Sequence, residues 1–186
     1  MIEVDIVIPV FKGLDATRRC LDSVMRFSQR TSFEIVVIND ASPEPAVVDY
    51  LEQLAAQQRI TLIHNPVNRG FVCSANLGMM QHPERDICLL NSDTEVHGDW
   101  LDRLRRSAYA LEDVGTVTPF SNNATICSYP CFCEDNELPE EWSLSELDAL
   151  CAELNAGQAI EIPTAVGFCM YVTRRCLEQT GYFDEV

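Results

Sequence analysis

Short β-branched runs alternate with longer stretches of helical period through the first two thirds of the chain, and few folds accept that order. Residues 4–10, 33–38, 60–63 and 86–90 are nearly continuous apolar runs. Each is too short for a core helix and rich in residues that fit a pleated surface. Residues 114–118 read as a fifth strand. Between the runs, apolar residues recur at helical spacing: Leu14, Leu21, Val24 and Met25, then Val48, Leu51 and Leu54, then residues 71–81, then Trp100, Leu104, Ala108 and Leu111. Asp15 is placed to cap the first of these helices, and Pro45 suits the first turn of the second. Pro9 has no N–H for a ladder, so the first strand is expected to stop there. The alternation predicts an α/β fold, a mostly parallel sheet with helices on both faces.

The second part of the chain is less regular. Residues 119–142 have no clear period and read as a long loop. Ser143 and Glu146 form a capping box ahead of Leu147, Leu150 and Leu154. Residues 160–163 and 167–173 are expected to be two more strands, and residues 174–180 a last short helix before Gly181. One domain is the expectation for 186 residues.

Two of the apolar runs end in carboxylates. The second delivers Asn39-Asp40, and the fourth delivers Asn91-Ser92-Asp93, with Glu95 two residues further on. In parallel sheets ligands bind outside the carboxyl ends of the strands, where the winding direction switches. Acidic groups there suit a hard cation such as Mg2+ or Mn2+, which takes much of its shell from water and phosphates. Asp and Ser also cap helices, so each carboxylate alone has a plain structural reading. Two of them at corresponding strand ends favour a site.

Composition removes several classes. The apolar fraction of 47% with 23% charged residues is that of a soluble globular chain. No apolar run approaches the ~20 residues of a membrane span, and no signal peptide pattern opens the chain, so a cytoplasmic location is expected. The net charge of -16 repels nucleic acid. Nine cysteines, an odd number, several within apolar runs (Cys20, Cys88, Cys151, Cys169), read as reduced and buried. Cys127, Cys131 and Cys133 lack the second close pair of a zinc site. No Gly-x-Gly-x-x-Gly follows the first strand, and neither a phosphate-binding P-loop nor a nucleophile elbow is present. None of His64, His82 and His97 sits in a convincing base position.

Four segments in order carry a family resemblance: Ile6-Val7-Ile8-Pro9-Val10-Phe11; Val36-Val37-Ile38-Asn39-Asp40-Ala41-Ser42; Asn68-Arg69-Gly70 with Asn76-Leu77-Gly78; and Leu90-Asn91-Ser92-Asp93. Together they resemble family 2 glycosyltransferases of the GT-A fold, which use nucleotide-diphosphate sugars. Pro119 to Asn123 and the ending Gly181-Tyr182-Phe183-Asp184-Glu185 look like the rhamnosyltransferase-like branch. The resemblance implies a nucleotide-binding part over residues 1–118 and an incomplete acceptor-side part over 119–186. Pro9, Val10 and Phe11 would line the base and ribose pocket, Asp40 would accept a hydrogen bond from the base, and Asn68, Gly70, Asn76, Asn91 and Ser92 would belong to the same nucleotide-sugar site. Asp93, last residue of the family's Asp-x-Asp motif, would hold Mg2+ or Mn2+ against the diphosphate. Asn91 stands where that motif has its first carboxylate, and Ala75 where many relatives have arginine. Glu95 reads as an exposed turn residue or a substitute ligand, and Asn122 and Asn123 as sugar contacts or plain loop.

The implied activity is transfer of a sugar, with inversion, to a saccharide or lipid-linked acceptor, with peripheral membrane association through a part beyond these residues. Asp184 and Glu185 are catalytic candidates by proximity only, since relatives place the base in an acidic pair further on. The chain stops at Val186, and the expectation is a shortened domain that binds donor and transfers poorly. Two rivals remain at this stage: a non-catalytic nucleotide-sugar-binding module of a larger polysaccharide-synthesis protein, and a nucleotidyltransferase, which Phe11-Lys12-Gly13 serves badly as a basic glycine-rich loop.

Overall fold

In the computed structural model, residues 3–138 and 141–185 are described. The sheet has six strands: β1 (Val4–Val10), β2 (Phe33–Asn39), β3 (Thr61–His64), β4 (Asp86–Leu90), β5 (Thr116–Val117) and β6 (Cys169–Val172), in the order β3-β2-β1-β4-β6-β5. β1 pairs in parallel with β2 and β4, and β2 with β3, while β6 runs antiparallel between β4 and β5. The helices are α1 (Leu14–Arg26), α2 (Pro45–Ala56), α3 (Gly70–Met79), α4 (Trp100–Ala108), α5 (Leu144–Leu154) and α6 (Arg174–Thr180).

Alternation along each strand divides the core in two. Ile6 and Ile8 of β1 and Val37 of β2 face Leu21 and Val24 of α1, Leu51 of α2 and Leu101 of α4. Val7, Val36 and Ile38 face Ala75 and Met79 of α3 and Leu177 of α6. With both faces covered, β1 and β4 read as continuous apolar runs. The chain builds outward from β1 to β3 through α1 and α2. It then returns past β1 to β4 by α3 on the opposite face, as right-handed crossovers require. No helix among the described residues is long and apolar enough to cross a membrane.

Several sequence expectations need correction. β1 continues through Pro9 to Val10, which pair with Ile38 and Asn39 of β2. β4 accompanies β1 only as far as Val7, so Pro9 lies where the strand has one neighbour instead of two. Asp15 is not the cap of α1. Gly13, in the left-handed region at φ 92, takes that position, and its N–H donates to Glu44 Oε2 at 3.0 Å. Asp15 lies in the first turn, where its charge suits the helix dipole. α2 buries Val47 with Leu51 and Leu54, leaving Val48 half-buried. Leu111 lies beyond α4 and is 72% exposed. Residues 160–163 form no strand, and Ile160 lies open to solvent. Pro163, without an N–H, is poorly suited to extend a sheet. The capping box of Ser143 and Glu146 is present, but α5 has no buried residue; Asp148, bonded to Arg103 Nη2 at 2.6 Å, ties it to α4. All nine cysteines are free thiols, with Cys151 only partly buried.

Candidate functional site

Because β1 to β4 run in parallel, their carboxyl ends share one rim, and β5 ends on it as well. β6 runs the other way, so the chain entering it at Phe168 also reaches the rim. The winding direction reverses between β1 and β4. Pro9 to Phe11 and Asn91 to Asp93 therefore flank the switch point, the place where open α/β sheets accept ligands.

The end of β1 offers Phe11 but not the side chain of Val10. Phe11 is 37% exposed, with the Lys12 ammonium 5.0 Å from its ring centroid. Val10 is packed in the core, and what it contributes is a carbonyl that accepts from Asp40 N at 2.8 Å.

Beyond β2, Asp40 is buried and committed to the loop ahead of α3. Its Oδ1 accepts from Asn65 Nδ2 at 2.7 Å and Arg69 N at 2.8 Å, and its Oδ2 from Gly70 N at 2.9 Å. Burial acts to raise the pKa of Asp40, but the bonds from Arg69, Asn65, Gly70 and Ser74 outweigh it and hold the group below its usual value. Gly70 adopts φ +84, a conformation that glycine reaches without strain. Asn68 is exposed on the same loop. Asn65, which orients Asp40 and also bonds Ser74 Oγ at 2.9 Å, was not singled out from the sequence. Its only signal there is an Asn-Pro step after a strand.

At the end of β4, Asn91 to Thr94 form a turn closed by Thr94 N to Asn91 O at 3.1 Å. Asn91 N donates to Phe168 O at 2.8 Å, which fixes the turn against the chain entering β6. Asp93 is exposed and Asn91 and Ser92 are half-buried. Among the described residues these three side chains make no hydrogen bond, so their polar ends are available. Glu95 is engaged by Arg19 Nε at 2.9 Å. Burial, then the charge of Asp93, push the Cys20 thiol up to about 12, which removes it from any nucleophilic role. Asn122 and Asn123 are exposed on the loop that leaves β5 at the rim, where the Asn122 carbonyl accepts from Asn136 N at 2.9 Å.

The sequence matches the glycosyl transferase family 2 model over residues 5–180. The chain belongs to that family. It is 30% identical over 91 residues to an uncharacterized glycosyltransferase of Rickettsia bellii, a match covering 49% of this chain and 13% of that protein. Among solved structures, the mannosyltransferase PcManGT from Pyrobaculum calidifontis, in complex with GDP-Man and Mn2+, superposes with a TM-score of 0.66 at 17% identity over 98% of this chain and 48% of that one. S. aureus TarS 1–349 in complex with UDP gives 0.67 at 13% identity over 98% and 50%. The chain thus spans about half the length of these solved structures, and the likeness establishes the GT-A fold.

One further cluster of the family 2 domain bears on where a cation would sit. Asp5, Glu34 and His82 bring ligand atoms within 4.8 Å of one another. They lie at the amino ends of β1 and β2, away from the rim, and Arg85 Nη1 already stands 2.7 Å from both Asp5 Oδ1 and Glu34 Oε2. That guanidinium supplies the positive charge a metal would bring. At the rim, Asp93 with Asn91 and Ser92 offers a carboxylate and neutral oxygens, a donor set that fits a largely hydrated hard cation. Past α6, Glu185 is bonded by Asn76 Nδ2 at 3.0 Å and lies 3.7 Å from Arg69 Nη2. Asn76, then Cys73, then the Arg69 charge hold its carboxyl below the usual range. Such a carboxylate is a weak proton acceptor. Asp184 beside it is exposed.

Proposed function

We propose that the chain carries the donor site of a glycosyltransferase that moves a sugar from a nucleotide-diphosphate donor to a saccharide or lipid-linked acceptor, with inversion. The observation that carries this reading is the Asn91-Ser92-Asp93 turn at the switch point of the sheet, whose three side chains make no hydrogen bond among the described residues. Phe11 supplies an apolar wall for a base, and Asp40 holds the loop ahead of α3 at the same rim. Asp93, with Asn91 and Ser92, would hold Mg2+ or Mn2+, which when bound stabilises charge developing on a diphosphate leaving group. GDP-Man with Mn2+ in one similar structure and UDP in another support a donor of this class.

A second reading is a nucleotide-sugar-binding module without transferase activity of its own. What favours it is that Glu185, an acidic candidate from the sequence, is tied to Asn76 Nδ2 at 3.0 Å. Incubation with a panel of nucleotide sugars and oligosaccharide or lipid-linked acceptors separates the two. Transferase activity predicts a glycosylated product whose anomeric configuration is opposite to the donor's. Product retaining that configuration contradicts inversion, and tight donor binding without product supports the module.

A further inference from the structure

Asn76, a donor-site candidate in the sequence, turns its carboxamide elsewhere. It is 3% exposed. Its Nδ2 donates to Phe183 O at 2.8 Å and Glu185 Oε1 at 3.0 Å, and its Oδ1 accepts from Phe183 N at 3.0 Å. All three bonds reach a stretch more than a hundred residues away, just past α6. Gly181, at φ +80, redirects the chain there, and Phe183 packs onto the face of the sheet that α3 covers. Arg69, whose backbone N–H donates to Asp40, also faces Glu185 with its guanidinium. Arg69 and α3 thus engage Asp40 through the backbone N–H groups of Arg69 and Gly70, and Glu185 through the side chains of Arg69 and Asn76.

We infer that Asn76 is a positioning residue for the acceptor side and not a donor ligand: it clasps residues 183–185 to α3 and fixes Glu185 at the rim. This rests on the donor-site reading only for its kinetic consequence. The clasp is tested directly by hydrogen exchange at the Phe183 amide in the whole chain. Asn76→Ala removes the acceptor and should speed that exchange by about tenfold or more. The affinity for UDP or GDP should stay within about twofold of the parent, and in a transfer assay kcat should fall while the donor KM holds. Because Asn76→Ala empties a buried site, the pair Asn76→Asp with Glu185→Gln provides a second arm. The amide introduced at position 185 can then donate to the carboxylate introduced at position 76, and the double variant should retain more Phe183 protection than Asn76→Asp alone. Unchanged Phe183 exchange together with about tenfold weaker nucleotide binding in Asn76→Ala would overturn the inference. A parent chain that binds no nucleoside diphosphate would refute the donor reading and leave the exchange test of the clasp intact.

Discussion

Asp40 joins local structure to ligand chemistry in one carboxylate. It anchors residues 65–70 through Asn65, Arg69 and Gly70, and those bonds favour the ionised form and hold its pKa below the usual value. A group with a depressed folded pKa stabilises the fold above its unfolded value, about 4 for Asp, and that share is lost as pH falls through the folded value. Urea unfolding of Asp40→Asn should therefore show a shallower loss of stability on acidification below about pH 4 than the parent. Glu34 and Asp102 shift in the same direction, so the variant flattens only part of the slope. At pH 7, Asp40→Ala leaves buried donors unpaired and should cost about 2–4 kcal/mol, read from the denaturant midpoint.

Elements meet at two places where one substitution reports on packing. A Cβ on Gly78 of α3 would overlap Val7 Cγ1 of β1, so this helix lies against the central strand at a distance only glycine permits. Gly78→Ala should destabilise the fold by about 1–3 kcal/mol, and adding Val7→Ala should return part of that loss. At the amino end of β4, Asp86 accepts from Tyr171 Oη at 2.6 Å, Tyr109 Oη at 2.7 Å and Arg174 N at 2.8 Å. This carboxylate ties β4 to β6, α6 and the end of α4. Asp86→Ala should lower stability by about 2–4 kcal/mol, because the buried Tyr171 hydroxyl loses its partner. The run of residues 86–90 was legible as a strand from its apolar content, but the work of Asp86 was not, since its partners lie up to 88 residues away. Similarly, α5 is visible in its capping box, while nothing local to it says that Leu144, Leu147 and Leu150 are only half-buried and Leu154 exposed.

For the whole molecule, alternating runs made the parallel half of the sheet readable, because a strand buried on both faces must be apolar throughout. The position of β6 between β4 and β5 was not readable, since that pairing joins segments far apart in the chain. Site residues followed the same division. Phe11, Asp40 and Asp93 stand out because polar or loop residues stop an apolar run, whereas the partners of Asp40 and Asn76 emerge only when the sheet brings the loops together. On a chain of net charge -16, a diphosphate needs local positive charge, and the cation expected at Asp93 supplies it. Titration calorimetry of UDP and GDP with and without Mn2+, on the parent and Asp93→Ala, tests this most directly. The parent should bind at least one of the two nucleotides about tenfold or more tightly with Mn2+, and Asp93→Ala should lose that gain while unfolding at the parent's temperature. Binding that ignores Mn2+, or a gain that survives in Asp93→Ala, would contradict a donor site built on this turn.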